Sequence, residues 1–253
     1  MVEQIQVLLD RVTEMKARLD EARPLSPSVL NRLREQLDVE WTYHSNAIEG
    51  SSLTLRETQL VLQHGLTVGG KSLREHLEAI NHQHAIHFVE SLADKDEPII
   101  EYIVRSIHAL VLRTIDDEEA GRYRRVQVYI TGSEYVPPEP VAVPGLMADL
   151  SDWLHSGEVA ALHPAERATL AHFRLVHIHP FTDGNGRTAR LLMNLLLMRA
   201  GYPPAVIRVE DRPAYYDALD AARDGDTEPF VRLVAEAVER ALTLWLEAAG
   251  VRQ

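Results

Sequence analysis

The sequence predicts an all-α protein with one small β-hairpin, on three observations. Apolar residues recur at helical spacing along most of its 253 residues, Ser/Thr caps and prolines punctuate those stretches, and only Val126-Gln127-Val128-Tyr129-Ile130 alternates apolar and polar residues with β-branched enrichment.

In chain order, Ile5, Leu8, Leu9, Val12, Met15 and Leu19 form one stripe of an amphipathic helix, which suits packing on the protein's own core or a homodimer contact. Pro24 and Pro27 end it, and Ser26-Pro27 pairs an N-cap with proline at the first helical position, opening a second helix to about Tyr43 or Asn46. Thr54-Leu55-Arg56-Glu57 has the spacing of a capping box. Helices are expected over 71–91 and 98–115, with a polar loop at 93–98 between them. The strand at 126–130 turns at Thr131-Gly132 toward Val136-Pro137-Pro138-Glu139-Pro140, whose prolines limit it to an edge strand. Further helices are expected over 144–155, 164–177, 185–199, 212–224 and 229–248.

Composition excludes several functions. The formal charge of −12 argues against a phosphate-backbone grip on nucleic acid, which needs clustered Lys and Arg. Without cysteine there is no disulfide, no thiolate nucleophile and no Cys-based zinc site. His172, His177 and His179 lack the His-Glu-x-x-His spacing of a zinc site, and His76, His82, His84 and His87 spiral around their helix. Residues 1–20 carry charges throughout and lack a signal-peptide core, and the most apolar run, 191–198, is too short to span a bilayer. The expectation is a cytoplasmic protein with no membrane partner.

Chemistry concentrates in His179-Pro180-Phe181-Thr182-Asp183-Gly184-Asn185-Gly186-Arg187-Thr188-Ala189-Arg190. Asp183 to Gly186 opens a helix, and glycine there lets backbone N–H groups face a bound anion. Arg187, Arg190 and Asn194 share one face of that helix, and two guanidiniums near its N-terminus match a polyphosphate. Asp183 offers a hard oxygen to Mg²⁺, and His179 can take a proton from an attacking hydroxyl. Together these are the parts for attack on a nucleotide phosphate.

The segment resembles the Fic family signature, His-x-Phe-x-(Asp/Glu)-Gly-Asn-Gly-Arg-x-x-Arg, at every specified position. The likeness runs from about Trp41 to Trp245, strongest to the endoplasmic-reticulum branch of animals and its bacterial relatives, through Gly121-Arg122-Tyr123-Arg124, the 126–140 hairpin, Leu191-Leu192-Met193-Asn194 and Arg199 to Pro204. It implies ATP as substrate, Mg²⁺ on Asp183, an anion hole from Gly184, Asn185 and Gly186, phosphate contacts from Arg187 and Arg190, and His179 as the base on a target Ser, Thr or Tyr. It further implies Tyr216 near adenine and a hairpin flap that docks the target protein. One departure is Arg223, in Ala222-Arg223-Asp224-Gly225-Asp226, where relatives carry an adenine-holding Asn.

Ser45-Asn46-Ala47-Ile48-Glu49-Gly50 resembles the inhibitory motif (Ser/Thr)-x-x-x-Glu-(Gly/Asn) of the class in which it precedes the core. The implied organisation is an N-terminal helical segment with the inhibitory helix at 1–60 and a catalytic core at 61–250. The expected function is AMP transfer to a protein hydroxyl, restrained by Glu49 pairing with Arg190. Glu49-dependent AMP removal and a nucleotide-sensing interaction module remain alternatives.

Overall fold

The computed structural model describes residues 2–95 and 97–251, the first two of these by backbone alone, and builds them from eleven α-helices with two single-turn 3₁₀ segments. Met1 and Asp96, which fall in the first expected helix and in the expected polar loop, lie outside the described residues.

The helices are α1 (Val2–Glu21), α2 (Pro27–Ile48), α3 (Leu55–His64), α4 (Leu73–Ala93), α5 (Glu101–Leu112), α6 (Val143–Leu154), α7 (Gly157–Ala160), α8 (Pro164–Ile178), α9 (Asn185–Arg199), α10 (Arg212–Arg223) and α11 (Glu228–Ala248). Their starts follow the chemistry of the caps. Ser26 accepts the Val29 N–H with Pro27 behind it, and Thr54 with Glu57 closes both arms of a capping box. Ser72 and Glu75 close a second one, which fixes where α4 begins.

Helix α9 is the central element. Leu191, Leu192, Leu195 and Leu197 are fully buried, and α4, α5 and α8 pack around it. A helix enclosed on its apolar sides cannot rotate, so whatever polar groups it carries at its N-terminus are held rigidly. Helix α1 lies along α11, and Leu8, Leu9, Val12 and Leu19 join the same core as α9. The apolar stripe of α1 is therefore spent within the chain. Helix α2 is rooted in that core by Trp41 and Ile48. Among the described residues no helix is long and apolar enough to cross a membrane.

The expected β-hairpin at 126–140 is absent: the described residues contain no strand. The turn is present, with Gly132 at φ +80° and the Ser133 N–H on the Ile130 carbonyl, but no ladder continues from it. Pro137, Pro138 and Pro140 supply no donors, and side chains do the cross-linking instead. Gln127 donates from Nε2 to the Pro137 carbonyl at 2.9 Å, while the Arg124 guanidinium donates to the Val126 and Pro138 carbonyls. Alternation along 126–130 marked an extended chain whose hydrogen bonds go to a guanidinium and an amide.

Candidate active site

Helix α8 ends at His179, which adopts the left-handed conformation at φ +51°, uncommon for a residue with a side chain. Its carbonyl accepts from Arg124 Nε at 2.8 Å, and the next carbonyl, of Pro180, accepts the Arg124 N–H at 2.9 Å. The turn is then closed by Asn185. Its Oδ1 accepts the Phe181 N–H at 3.0 Å and its Nδ2 donates to the Phe181 carbonyl at 2.9 Å. This clamp joins the end of α8 to the start of α9, with Gly184 at φ +75° as the N-cap.

Burial pushes the His179 imidazole down to about 4, with Arg124 and Arg223 acting in the same sense and a backbone interaction with Val176 and the charge of Glu49 opposing. The ring is neutral at pH 7 and able to accept a proton. Asp183 is half-exposed. Burial pushes its carboxyl up, but Arg187, the Gly184 N–H and Arg74 together hold it below the usual carboxylate value. Its Oδ1 accepts the Gly184 N–H at 2.5 Å and Arg187 at 3.2 Å, and its Oδ2 lies 2.5 Å from Arg74.

Arg190 is 2% exposed and fully engaged. Nε donates to Ser45 Oγ at 3.0 Å, and Nη2 to the Ser45 carbonyl and to Glu49 Oε1, both at 2.8 Å. Nη1 reaches the Tyr215 hydroxyl at 3.4 Å. Glu49, the C-cap of α2, lays its carboxylate against Gly186 in the first turn of α9, where any Cβ on Gly186 would collide with Oε1. An anion at a helix N-terminus beside a buried arginine is electrostatically at home. Gly50, at φ +102° and exposed, turns the chain away after it. The larger cavities, such as one of about 700 Å³ between α10 and α11, lie elsewhere.

The remaining expected site residues divide. Tyr216 is half-buried beside α2, its hydroxyl 3.5 Å from the Ile48 carbonyl, with Arg212 over its ring. Asn194 is fully buried, and both ends of its amide are consumed by Ala205, Nδ2 on the carbonyl at 3.0 Å and Oδ1 on the N–H at 2.7 Å. It straps α9 to the segment that follows. The Asn185 side chain bonds both the N–H and the carbonyl of Phe181 in the turn. Arg223 stacks its guanidinium 4.7 Å from the centre of the Tyr135 ring, whose hydroxyl donates to the His177 carbonyl at 2.8 Å.

The Fic/DOC family model matches residues 98–197, which include the whole turn and α9. In architecture the chain is similar to a Fic domain containing signaling protein from Bacteroides thetaiotaomicron, with a TM-score of 0.88 and 32% identity over 96% of this chain and 98% of that one. The chain belongs to the Fic family. It is also similar to Fic-1 from C. elegans, with a TM-score of 0.86 and 38% identity over 96% of this chain and 71% of that one. Among curated proteins it is 42% identical to the protein adenylyltransferase Fic of Nematostella vectensis over 97% of its length, and 43% identical to that of Aedes aegypti over 92%. It spans 57% and 48% of those two proteins, about half of each.

Around this Fic motif the structure adds supports that sequence reasoning missed. His108 stacks on Phe181 with ring centres 3.6 Å apart, and its Nδ1 accepts the Gly121 N–H, so Nε2 carries the proton and donates to the Asp183 carbonyl at 2.9 Å. Tyr215 accepts from Arg190, and its hydroxyl lies 3.1 Å from His172 Nε2, backing the arginine from behind. Arg74 and Glu78 tie α4 to Asp183 and Arg187. His108 sits in an apolar run, and nothing local to Tyr215 marks it out from its neighbour Tyr216. Arg124 carried a signal, as the last residue of the Gly121 to Arg124 stretch.

Proposed function

We propose that this Fic protein transfers AMP from ATP to a hydroxyl of a target protein, under restraint by Glu49. The observation that carries the reading is the clamped turn, which holds a neutral histidine at the end of one helix and a half-exposed carboxylate at the start of the next, with Arg190 about two turns further on. His179 takes the proton of the attacking Ser, Thr or Tyr hydroxyl as the hydroxyl oxygen bonds the α-phosphorus, and the bond to the pyrophosphate oxygen breaks. Backbone N–H groups of the Gly184 to Gly186 turn receive the phosphate charge, and Arg187 and Arg190 hold the β- and γ-phosphates.

Asp183 fits one Mg²⁺ ligand: it is a half-exposed oxygen donor with Oδ1 already saturated and Oδ2 held only by a surface arginine. When bound, the ion neutralises charge on the phosphates. Tyr216 borders the space for the base, and Arg223 stands where relatives place an amide. The irregular 126–140 segment exposes Val126, Tyr129 and Val136 and offers them to the target protein.

Restraint follows from one shared partner. Arg190 cannot hold Glu49 and a γ-phosphate at once, because Glu49 fills the space over Gly186. Labelled ATP with Mg²⁺ tests the reading: Glu49→Gly should transfer far more label than the wild type, and transfer no greater than that of His179→Ala would defeat it. A second reading draws on the side chain of Glu49, which is 35% exposed and close enough to raise the basicity of His179. In that position it can orient water for AMP removal, and release from a premodified target should then vanish in Glu49→Ala.

A further inference from the structure

Four charged side chains close a ring at the mouth of α9. Arg74 Nη2 lies 2.5 Å from Asp183 Oδ2, Arg74 Nε 3.1 Å from Glu78 Oε1, Glu78 Oε1 3.2 Å from Arg187 Nη1, and Arg187 Nη2 3.2 Å from Asp183 Oδ1. Signs alternate and the ring is neutral. Its members differ in exposure: the Arg187 side chain is 3% exposed and that of Glu78 14%, against 45% for Asp183 and 58% for Arg74. The link between Asp183 and Arg74 is therefore the wet one and the weakest, since water and salt screen it.

We infer that Arg74 is a resident counter-cation of the motif carboxylate, which the Mg²⁺ arriving with a nucleotide must displace. This rests on the proposed placement of the metal at Asp183. Oδ1 is saturated by the Gly184 N–H and Arg187, so a cation can enter only at Oδ2, the atom that Arg74 holds. Mg²⁺ requires a bare oxygen at about 2.0–2.1 Å and cannot share it with a guanidinium of like charge. The ring opens at its exposed link, and Glu78 keeps Arg74 by its Nε, ready to return when the metal leaves. Arg74 thus lowers the affinity of the site for the metal and satisfies Asp183 in the empty enzyme.

The test is calorimetric, on the full chain carrying Glu49→Gly so that Arg190 is free. The dissociation constant of a non-hydrolysable ATP analogue is measured without and with Mg²⁺, and the ratio of the two reports the metal's contribution. In Arg74→Ala and Arg74→Gln that ratio should rise by about 3- to 5-fold, the size of a partly screened ion pair. Arg74→Lys should fall between these variants and the parent, and rising salt should shrink the difference. An unchanged or smaller ratio in both neutral variants overturns the inference. Asp183→Asn separates the two levels. If it abolishes the metal's contribution while the Arg74 variants match the parent, only the role of Arg74 fails; if it leaves that contribution intact, the metal assignment and the role of Arg74 fail together.

Discussion

Glu49 and Arg190 meet at 2.8 Å across 141 positions of sequence, one at the end of α2 and the other inside α9. Ser45, one helical turn before Glu49, holds the same guanidinium through both its hydroxyl and its carbonyl. Removing either oxygen from the inhibitory side should shift Arg190 toward a nucleotide. A charge-assisted hydrogen bond contributes about 1.5–3 kcal/mol, so Glu49→Gly should raise label transfer by roughly 10- to 100-fold. Ser45→Ala, which leaves the carbonyl and Glu49 in place, should raise it by about 10-fold or less.

Gly186→Ala offers a contrasting outcome. Its new Cβ would meet Glu49 Oε1 and Arg190 Nη1, so it should drive Glu49 off the arginine. It should nevertheless stay inactive, because the Cβ then occupies the space the phosphates need. Combining it with Glu49→Gly should give at most about a tenth of the transfer of Glu49→Gly alone, the loss expected when a group is misplaced by an ångström or so. Equal transfer by the two proteins would show that this space is not used.

Acid should destabilise the fold through its histidines. His82, His108, His172 and His179 are pushed below the ordinary value of 6.5 by burial, His108 and His179 to about 4. The unfolded chain binds protons that the folded chain refuses, so these groups leave stability unchanged above about pH 7 and remove it as pH falls from 6.5 toward 4. His108 and His179 each cost about 1.4 kcal/mol per pH unit within that window. The melting temperature should fall steeply from pH 7 to pH 5, with net proton uptake on unfolding measured by calorimetry in buffers of different ionisation enthalpy. A flat profile would contradict the buried neutral rings.

Asn194→Ala separates a strap from a nucleotide contact. It leaves the N–H and carbonyl of Ala205 unpaired in the core, at about 1–3 kcal/mol for each buried group left unsatisfied. The melting temperature should drop by several degrees while the dissociation constant for ATP stays within about twofold of the parent, measured well below the transition. A selective loss of ATP binding with unchanged melting would support the nucleotide role expected from its position on the helix.

Arg124→Lys should loosen the 126–138 segment. Arg124 is 2% exposed and spans the carbonyls of Val126, Pro138 and His179, which a compact ammonium cannot reach together. Limited proteolysis should cut within residues 126–138 faster by roughly 10-fold, with helical circular dichroism unchanged and label transfer reduced.

The helices were legible because their signals are local. Ser26-Pro27 and Thr54 to Glu57 carry their own caps, and α9 begins at Asn185 and ends at Arg199, as the spacing of its apolar residues and its opening glycines indicated. The hairpin was misread because alternation reports which side chains face outward and not where backbone donors go. Donor loss at three prolines and a guanidinium from Arg124 settled that question. At the site, the sequence showed which residue types gather in the motif, a histidine, a carboxylate and arginines, but not how their neighbours are spent. Asn185 and Asn194 both lie on the motif helix, and both give their amides to backbone. His108, Arg74 and Tyr215 reach the motif from helices distant in sequence, and only folding brings them there.

The seat of Glu49 at the end of α2 has a quantitative consequence. Ile48 is fully buried beside it and Arg212 donates to the Ile48 carbonyl, so the carboxylate is tethered within one side chain's length of Arg190. If Glu49 restrains the site as proposed, it acts at an effective local concentration far above what a free carboxylate could reach, and a diffusing nucleotide must outcompete it by affinity. Loosening only the last turn of α2 lengthens the tether and dilutes the competitor. In the proposed scheme the enzyme's threshold for ATP is then set by how firmly Asn46 to Gly50 stay wound, a property any binding event at that helix end could adjust without touching the catalytic turn.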